Sequence, residues 1–437
     1  MKKVYFGLLG LMIIHIIILM NLQFTAWPET FSFPYLFNSG FDLYKDMVHP
    51  YTPLLTMSLS FLYKLFGYNV WVVKLFTYFL ILVNDLFIFK ITSKLTKNTK
   101  WGIFAVVFYI LTQPFLEGNQ LWFDFAISTP ILLGLWLIIN KKYFLSGVAL
   151  TIAFLTKQNS ALFLIFGLIL IYIKEKKIMS LSKYILGGFL TVLPFLFYLF
   201  SKSSFVDFMN WVLIYPSKYW TSFPNYVQML PSNRQLLILI FLFFPAFYLI
   251  FKKEIKHNIF LFGSLLISLI LIYPRFSFFH FQTGLAFLSI TFGVVSSKLK
   301  NMIYIYLYLV ILSLLITKDW GHSIRFIDDN RLSIEKSEKV YLLGQHSLNY
   351  VVNNSLPPKP WIDNYGWYFE IPGIQQRMID GWKIDPPKYV YISKPEPGSW
   401  YDLGTYQPEK IVNYINMNYQ KVDEMNDVEV WKLNQNK

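Results

Sequence analysis

Apolar runs too long for a soluble core recur along most of this chain and decide what it can fold into. The first, Val4 to Leu22, is long enough to cross a hydrocarbon core, which takes about 20 residues of helix. Others occupy about 69–91, 102–115, 122–140, 143–156, 159–173, 184–200, 235–251, 258–274, 282–296 and 301–317, making about eleven spans. A helix satisfies its own backbone polar groups, as lipid requires. The expected fold is an α-helical polytopic membrane protein of about 11 transmembrane helices, followed by a small C-terminal extracytoplasmic α/β domain.

Charge gives the orientation. Only 15% of residues are charged, against about 25% in soluble domains. Residues 1–317 hold 25 of the 39 Lys+Arg and 9 of the 25 Asp+Glu, net +16; residues 318–437 hold 14 basic and 16 acidic, net −2. Lys94, Lys97 and Lys100, then Lys141 and Lys142, then Lys174, Lys176 and Lys177, then Lys252, Lys253 and Lys256, then Lys298 and Lys300 fill every second loop. The positive-inside rule puts that side, and the basic Met1-Lys2-Lys3, in the cytoplasm of a plasma (inner) membrane. No small-residue cleavage site follows the first run, which reads as a retained anchor. Positive charge spread over short loops sets orientation, so nucleic acid is not an expected partner. With no cysteine, disulfides, thiolate metal sites and cysteine nucleophiles are excluded.

The segment from Pro53 to Gly67 is apolar but too short to cross comfortably, and a crossing there would turn the Lys-rich loops outward. It is expected to lie in the outer interface as an amphipathic helix ended by Gly67, within a first outer loop spanning 23–68. An odd span count then leaves the C-terminus outside. The chain divides into a transmembrane domain, 1–317, and a domain at 318–437. In the latter, 340–343, 389–392 and 428–431 read as strands, and 408–419 as a helix begun by proline.

Six of the nine acidic residues of the membrane region fall on the outer side: Glu29, Asp42, Asp46, Glu117, Asp124 and Asp207. The densest group is Gly40 to Pro50, where Asp42 and Asp46, four apart, share a face if the stretch is helical, and Tyr44 and His49 stand beside them. Solvated loop carboxylates are the plain alternative. Asp124 opens a span, where partnering the helix N-terminus explains it equally well. Asp85, inside the second span, should face the bundle in a structural hydrogen-bonding role with Asn84 beside it. Lys157 and Arg275 sit on the outer side against the inward bias of positive charge; they either snorkel or hold an anionic headgroup. Phosphate-binding glycine loops, Gly-x-Ser-x-Gly and His-Glu-x-x-His are missing, which disfavours an aqueous nucleotide donor.

The stretch from His49-Pro-Tyr-Thr-Pro-Leu-Leu to Leu65-Phe-Gly-Tyr-Asn69 resembles the first outer loop of superfamily C membrane glycosyltransferases, nearest the protein O-mannosyltransferases and aminoarabinose-transferring enzymes. Trp122-Phe-Asp124 and Thr156-Lys-Gln158 are similar to later stretches of that superfamily, and the likeness covers about 1–317. Two departures, Leu43 after Asp42 and the prolines split by Tyr51-Thr52, leave open which loop acid is catalytic. The resemblance implies inverting transfer of a sugar from a polyprenyl-phosphate donor to an extracytoplasmic glycan, lipid or protein. On that reading Asp46, or next Asp42, is the general base, and the residues expected in substrate binding are Tyr44, His49, Asp124, Lys157, Gln158, Arg275 and His280. Membrane lipids are the surroundings; no soluble nucleotide is needed, no cofactor is assigned, and a divalent cation is left open. The rivals are a transporter or lipid flippase, with Asp85 as ion relay, and a non-catalytic scaffold.

Overall fold

The computed structural model describes residues 2–220, 230–273, 275–317, 334, 338–395, 403, 405–425 and 427–434. The protein is mostly helical (69%) with a small C-terminal sheet. The described residues of the eleven apolar runs are mostly helical, with 122–140 forming two helices, Phe123–Ala126 and Ser128–Ile139. Among the described residues five helices are long and apolar enough to cross a membrane: Val4–Asn21, Val70–Thr96, Gln158–Glu175, Ile178–Ser201 and Asn233–Phe251. Their outer faces leave large apolar side chains uncovered, among them Phe6, Ile13, Phe79, Phe197 and Phe244. Surfaces of that kind belong in lipid, and the chain is a membrane protein.

The first five helices are α1 (Lys2–Asn21), α2 (Glu29–Asn38), α3 (Leu54–Phe66), α4 (Val70–Thr96) and α5 (Thr99–Thr112). The chain forms two compact units, neither continuous in sequence. One holds Met1–Ala26, Val70–Pro194 and Gln228–Phe326; the other holds Trp27–Asn69, Phe195–Val227 and Ile327–Lys437. Trp27–Asn69, most of the segment expected as the first outer loop, thus folds in one unit with the tail. The expected division at 317/318 lies at the edge of the described residues, since Lys318 is outside them.

The first unit is built around the helix Gln282–Ser296, buried over all fifteen residues. It packs on α4, α5, Asn233–Phe251 and Ile259–Leu271. Small residues set the spacing, as is common between membrane helices. A Cβ on Gly293 would lie 2.9 Å from the Trp101 carbonyl, and one on Gly147 would lie 2.0 Å from the Tyr184 carbonyl. At Gly147 the helices Tyr143–Thr156 and Ile178–Ser201 therefore meet backbone to backbone.

Asp85 faces the interior as expected, but its partner is His15 of α1, with Nδ1 2.9 Å from Asp85 Oδ2. The expected neighbour Asn84 instead accepts from Thr129 (2.7 Å) and donates to Tyr109 (3.5 Å). Adjacent helical residues point about 100° apart, which sends the two to different partners. Gln113 Nε2 donates to the Gly118 carbonyl, so its Oε1, 3.1 Å from His15 Nε2, is an acceptor and His15 Nε2 carries a proton. One further proton then lies between His15 Nδ1 and Asp85 Oδ2. Asp85 is wholly buried and bound to His15, the arrangement of a structural pair.

In the second unit, α3 begins after Pro53 and ends at Gly67, whose φ of +76° suits glycine. Its inner face is Leu55, Thr56, Leu59, Ser60 and Tyr63; Phe61, Leu65 and Phe66 stand exposed. Helix α2 was not expected, because Pro34 inside it removes a ladder hydrogen bond. Burial against α3 compensates, with Phe31 stacked on Tyr63 at 5.6 Å.

The tail carries strands β1 (Val340–Leu343), β2 (Tyr389–Ser393), β3 (Tyr419–Met425) and β4 (Val428–Leu433), ordered β1-β2-β4-β3. β1 and β2 pair in parallel, and the other neighbours are antiparallel. Three strands and the helix Glu409–Asn418, entered from Pro408, match expectation; β3 does not, its charged face hiding the pattern.

Candidate functional sites

Each unit holds one cluster of the residues singled out from sequence. In the second unit, residues 42–46 form a closed turn, not the helical turn their spacing allowed. The Asp46 amide donates to the Asp42 carbonyl (2.9 Å), and the Asp42 amide donates back to Asp46 Oδ2 (3.1 Å). The reversal requires Tyr44 at φ +72°, a left-handed conformation costly for a bulky residue. Burial holds it there: Tyr44 donates its hydroxyl to the Tyr51 carbonyl (2.9 Å) and packs on His49, Phe195 and Phe208.

His49 braces the same loop. Its Nδ1 donates to the Tyr51 carbonyl (2.7 Å), and Nε2 accepts from the Thr56 hydroxyl (2.8 Å). Burial lowers its pKa to about 4, so the ring is neutral. With both His49 nitrogens hydrogen-bonded inside the loop and Tyr44 buried beside it, the two side chains shape the turn.

The two carboxylates are each met by a lysine that sequence reasoning missed. Lys202 Nζ lies 2.8 Å from Asp42 Oδ1, and Lys359 Nζ lies 2.7 Å from Asp46 Oδ2. Both aspartates stay partly open, Asp46 at 21%. Asp46 Oδ1 has no hydrogen-bond partner among the described residues.

In the first unit, Asp124, Lys157 and His280 converge from separate elements. Asp124 stands at the start of the helix Phe123–Ala126, Lys157 is the extended residue ending Tyr143–Thr156, and His280 belongs to the loop before Gln282–Ser296. Asp124 Oδ2 accepts from Lys157 Nζ (2.5 Å) and from His280 Nδ1 (2.7 Å). Asp124 is 1% exposed, and its Oδ1 has no hydrogen-bond partner among the described residues. Helix partnering alone does not account for this geometry, since no side-chain cap hydrogen bond forms.

A carboxylate only accepts, so the His280 proton sits on Nδ1. Burial lowers the imidazole pKa; Asp124 opposes, while Lys157 and Arg275 lower it further. The neutral ring therefore turns its Nε2 lone pair away from Asp124, the way a carboxylate orients a histidine for proton transfer. Arg275 is buried and close enough for its charge to act on His280. Gln158 follows Lys157 in a single 3-10 turn.

Glu117, absent from the expected set, completes this cluster. It sits at φ +55° in the distorted turn Pro114–Gly118, and its Oε2 accepts from the Phe279 amide (3.0 Å). Burial raises its pKa, with the Phe279 amide working against the shift. Gln282 Nε2 laces the same loops together through the Leu116 (2.7 Å) and Phe278 (3.0 Å) carbonyls.

Among the described residues no group of three or more His, Cys, Asp or Glu side chains is placed to hold a metal ion. Compared with known proteins, the sequence matches no family model and no curated protein.

Proposed function

We propose that this membrane protein is a glycosyltransferase that moves a sugar from a polyprenyl-phosphate carrier to an acceptor hydroxyl outside the cytoplasm. The observation that carries the reading is the Asp42–Asp46 turn. It is a strained backbone just before the stretch that resembles superfamily C enzymes, and Asp46 there has one carboxylate oxygen with no hydrogen-bond partner among the described residues. In this reading Asp46 Oδ1 takes the acceptor proton. The acceptor oxygen bonds to the anomeric carbon from the far side, and the carbon–phosphate-oxygen bond breaks with its electron pair on the lipid phosphate, inverting the centre. Lys157 and Arg275, both cationic and both acting on His280, suit the carrier phosphate.

Incubating the purified protein with labelled polyprenyl-phosphate sugars and following label loss tests this directly. Asp46→Asn is expected to lower turnover at least about a hundredfold while leaving the protein folded. Lys157→Met and Arg275→Met are expected to raise the apparent KM for donor about tenfold. Donor consumption undiminished in Asp46→Asn would remove Asp46 as base, and no consumption of any such donor would remove the reading.

The same reading has about eleven crossings, a cytoplasmic N-terminus, α3 lying in the outer interface on Phe61, Leu65 and Phe66, and the tail outside. A reporter active only outside the cytoplasm should work when fused after Lys437 and fail when fused after Lys142. The reverse pattern would place both the loop and the tail on the wrong side for an outer acceptor.

A further inference from the structure

The contacts around Asp46 come from a part of the chain more than three hundred residues away. The Trp361 amide donates to the Asp46 carbonyl, and the Val48 amide donates to the Trp361 carbonyl, each at 2.9 Å. This short bridge lays residues 359–361 along the catalytic turn. Lys359 then reaches back: its Nζ donates to Asp46 Oδ2 (2.7 Å) and to the Gly40 carbonyl (2.8 Å), and lies 4.7 Å from the centre of the Phe41 ring.

These contacts divide the Asp46 carboxylate unequally. Oδ2 receives Lys359 and the Asp42 amide, while Oδ1 receives no hydrogen bond among the described residues. A carboxylate rotates freely about its last bond unless one oxygen is held. Two donors on Oδ2 stop that rotation and leave Oδ1 as the oxygen presented.

We infer that Lys359 is a positioning residue of the C-terminal tail, fixing Oδ2 of Asp46 so that Oδ1 faces the acceptor hydroxyl. The inference rests on Asp46 being the base proposed above. The tail is thus a working part of the catalytic loop as well as a folded domain. Lys202 pairs with Asp42 and acts on Asp46 through its charge, whereas Lys359 holds Oδ2 by a direct hydrogen bond, so Lys202 does not substitute for it.

The test uses the full chain with Lys359→Met, Lys359→Arg and Asp46→Asn. The Asp42 amide, whose acceptor is Asp46 Oδ2, reports carboxylate orientation by hydrogen exchange without any substrate. Lys359→Met is expected to speed that exchange about tenfold and to lower turnover of the labelled polyprenyl-phosphate sugar about tenfold or more. KM for donor and the thermal midpoint should stay near wild type. Lys359→Arg should recover most of both losses, because it restores the charge. If Asp46→Asn abolishes transfer and Lys359→Met keeps wild-type turnover, the positioning role is wrong and the base assignment survives. If Asp46→Asn keeps transfer, the base assignment fails and the positioning role falls with it, whatever the exchange rates show.

Discussion

His15→Leu is expected to destabilise the helical unit by about 3 kcal/mol, read as the midpoint of an SDS titration. The substitution leaves Asp85 with no hydrogen-bond partner among the described residues, because its Oδ1 has none there and Oδ2 depends on His15. A carboxyl group alone at membrane depth costs about 2.5 to 3.5 kcal/mol. The change also strips Gln113 Oε1 of its donor. Replacing both partners by apolar groups avoids the orphaned acid, so His15→Leu combined with Asp85→Leu should lie within about 1 kcal/mol of wild type. A double variant as unstable as the single one would mean that the pair is not the source of the loss. An unaffected single variant would mean that α1 is held by other contacts. Most of α1 faces outward, which is why one buried polar pair can carry so much of its attachment.

The helices of the first unit were legible because the signal is local: an apolar run of sufficient length has nowhere else to go. Helix α3 was legible for a similar reason, since alternating inner and outer faces and a terminal Gly67 are written within thirteen residues. Helix α2 and strand β3 were not. The first contains Pro34 and owes its stability to α3; the second shows Lys421, Asp423 and Glu424 to solvent and exists through β4.

The site was legible in its members and not in its pairings. Asp124 and Lys157 stood out by position and His280 was named without a ground of its own, and the carboxylate and the imidazole that share a hydrogen bond lie 156 positions apart. Lys359 carried no signal, because one lysine of fourteen basic residues in a polar tail gives no sign of the carboxylate it meets. Four-residue spacing puts Asp42 and Asp46 on one face only if the stretch is helical; the closed turn depends on Tyr44 being forced to positive φ by packing.

Raising the pH from 7 to 9 is expected to loosen the second unit, through the buried acids Glu29 and Asp363. Each is 5% exposed. Glu29 Oε1 takes the Tyr365 hydroxyl and its Oε2 has no partner among the described residues, while Asp363 Oδ1 accepts from the Asn364 amide (2.9 Å). Burial raises both pKa values, and the charge of Glu29 adds to the shift at Asp363, pushing it up to about 8 from 3.8. Between those two values the folded chain keeps a proton that the unfolded chain has released. The contribution to stability is therefore complete below about pH 4 and is lost as the pH climbs through 8, at up to about 1.4 kcal/mol per unit. His49 and His280, lowered by burial, work in the opposite sense but only below about 6.5, so the window from 7 to 9 isolates the acids. The thermal midpoint of the full chain should fall across that window, and Asp363→Asn should flatten the fall because an amide has no proton to lose. An equally steep fall in Asp363→Asn and in Glu29→Gln would show that the pair does not hold a proton between them.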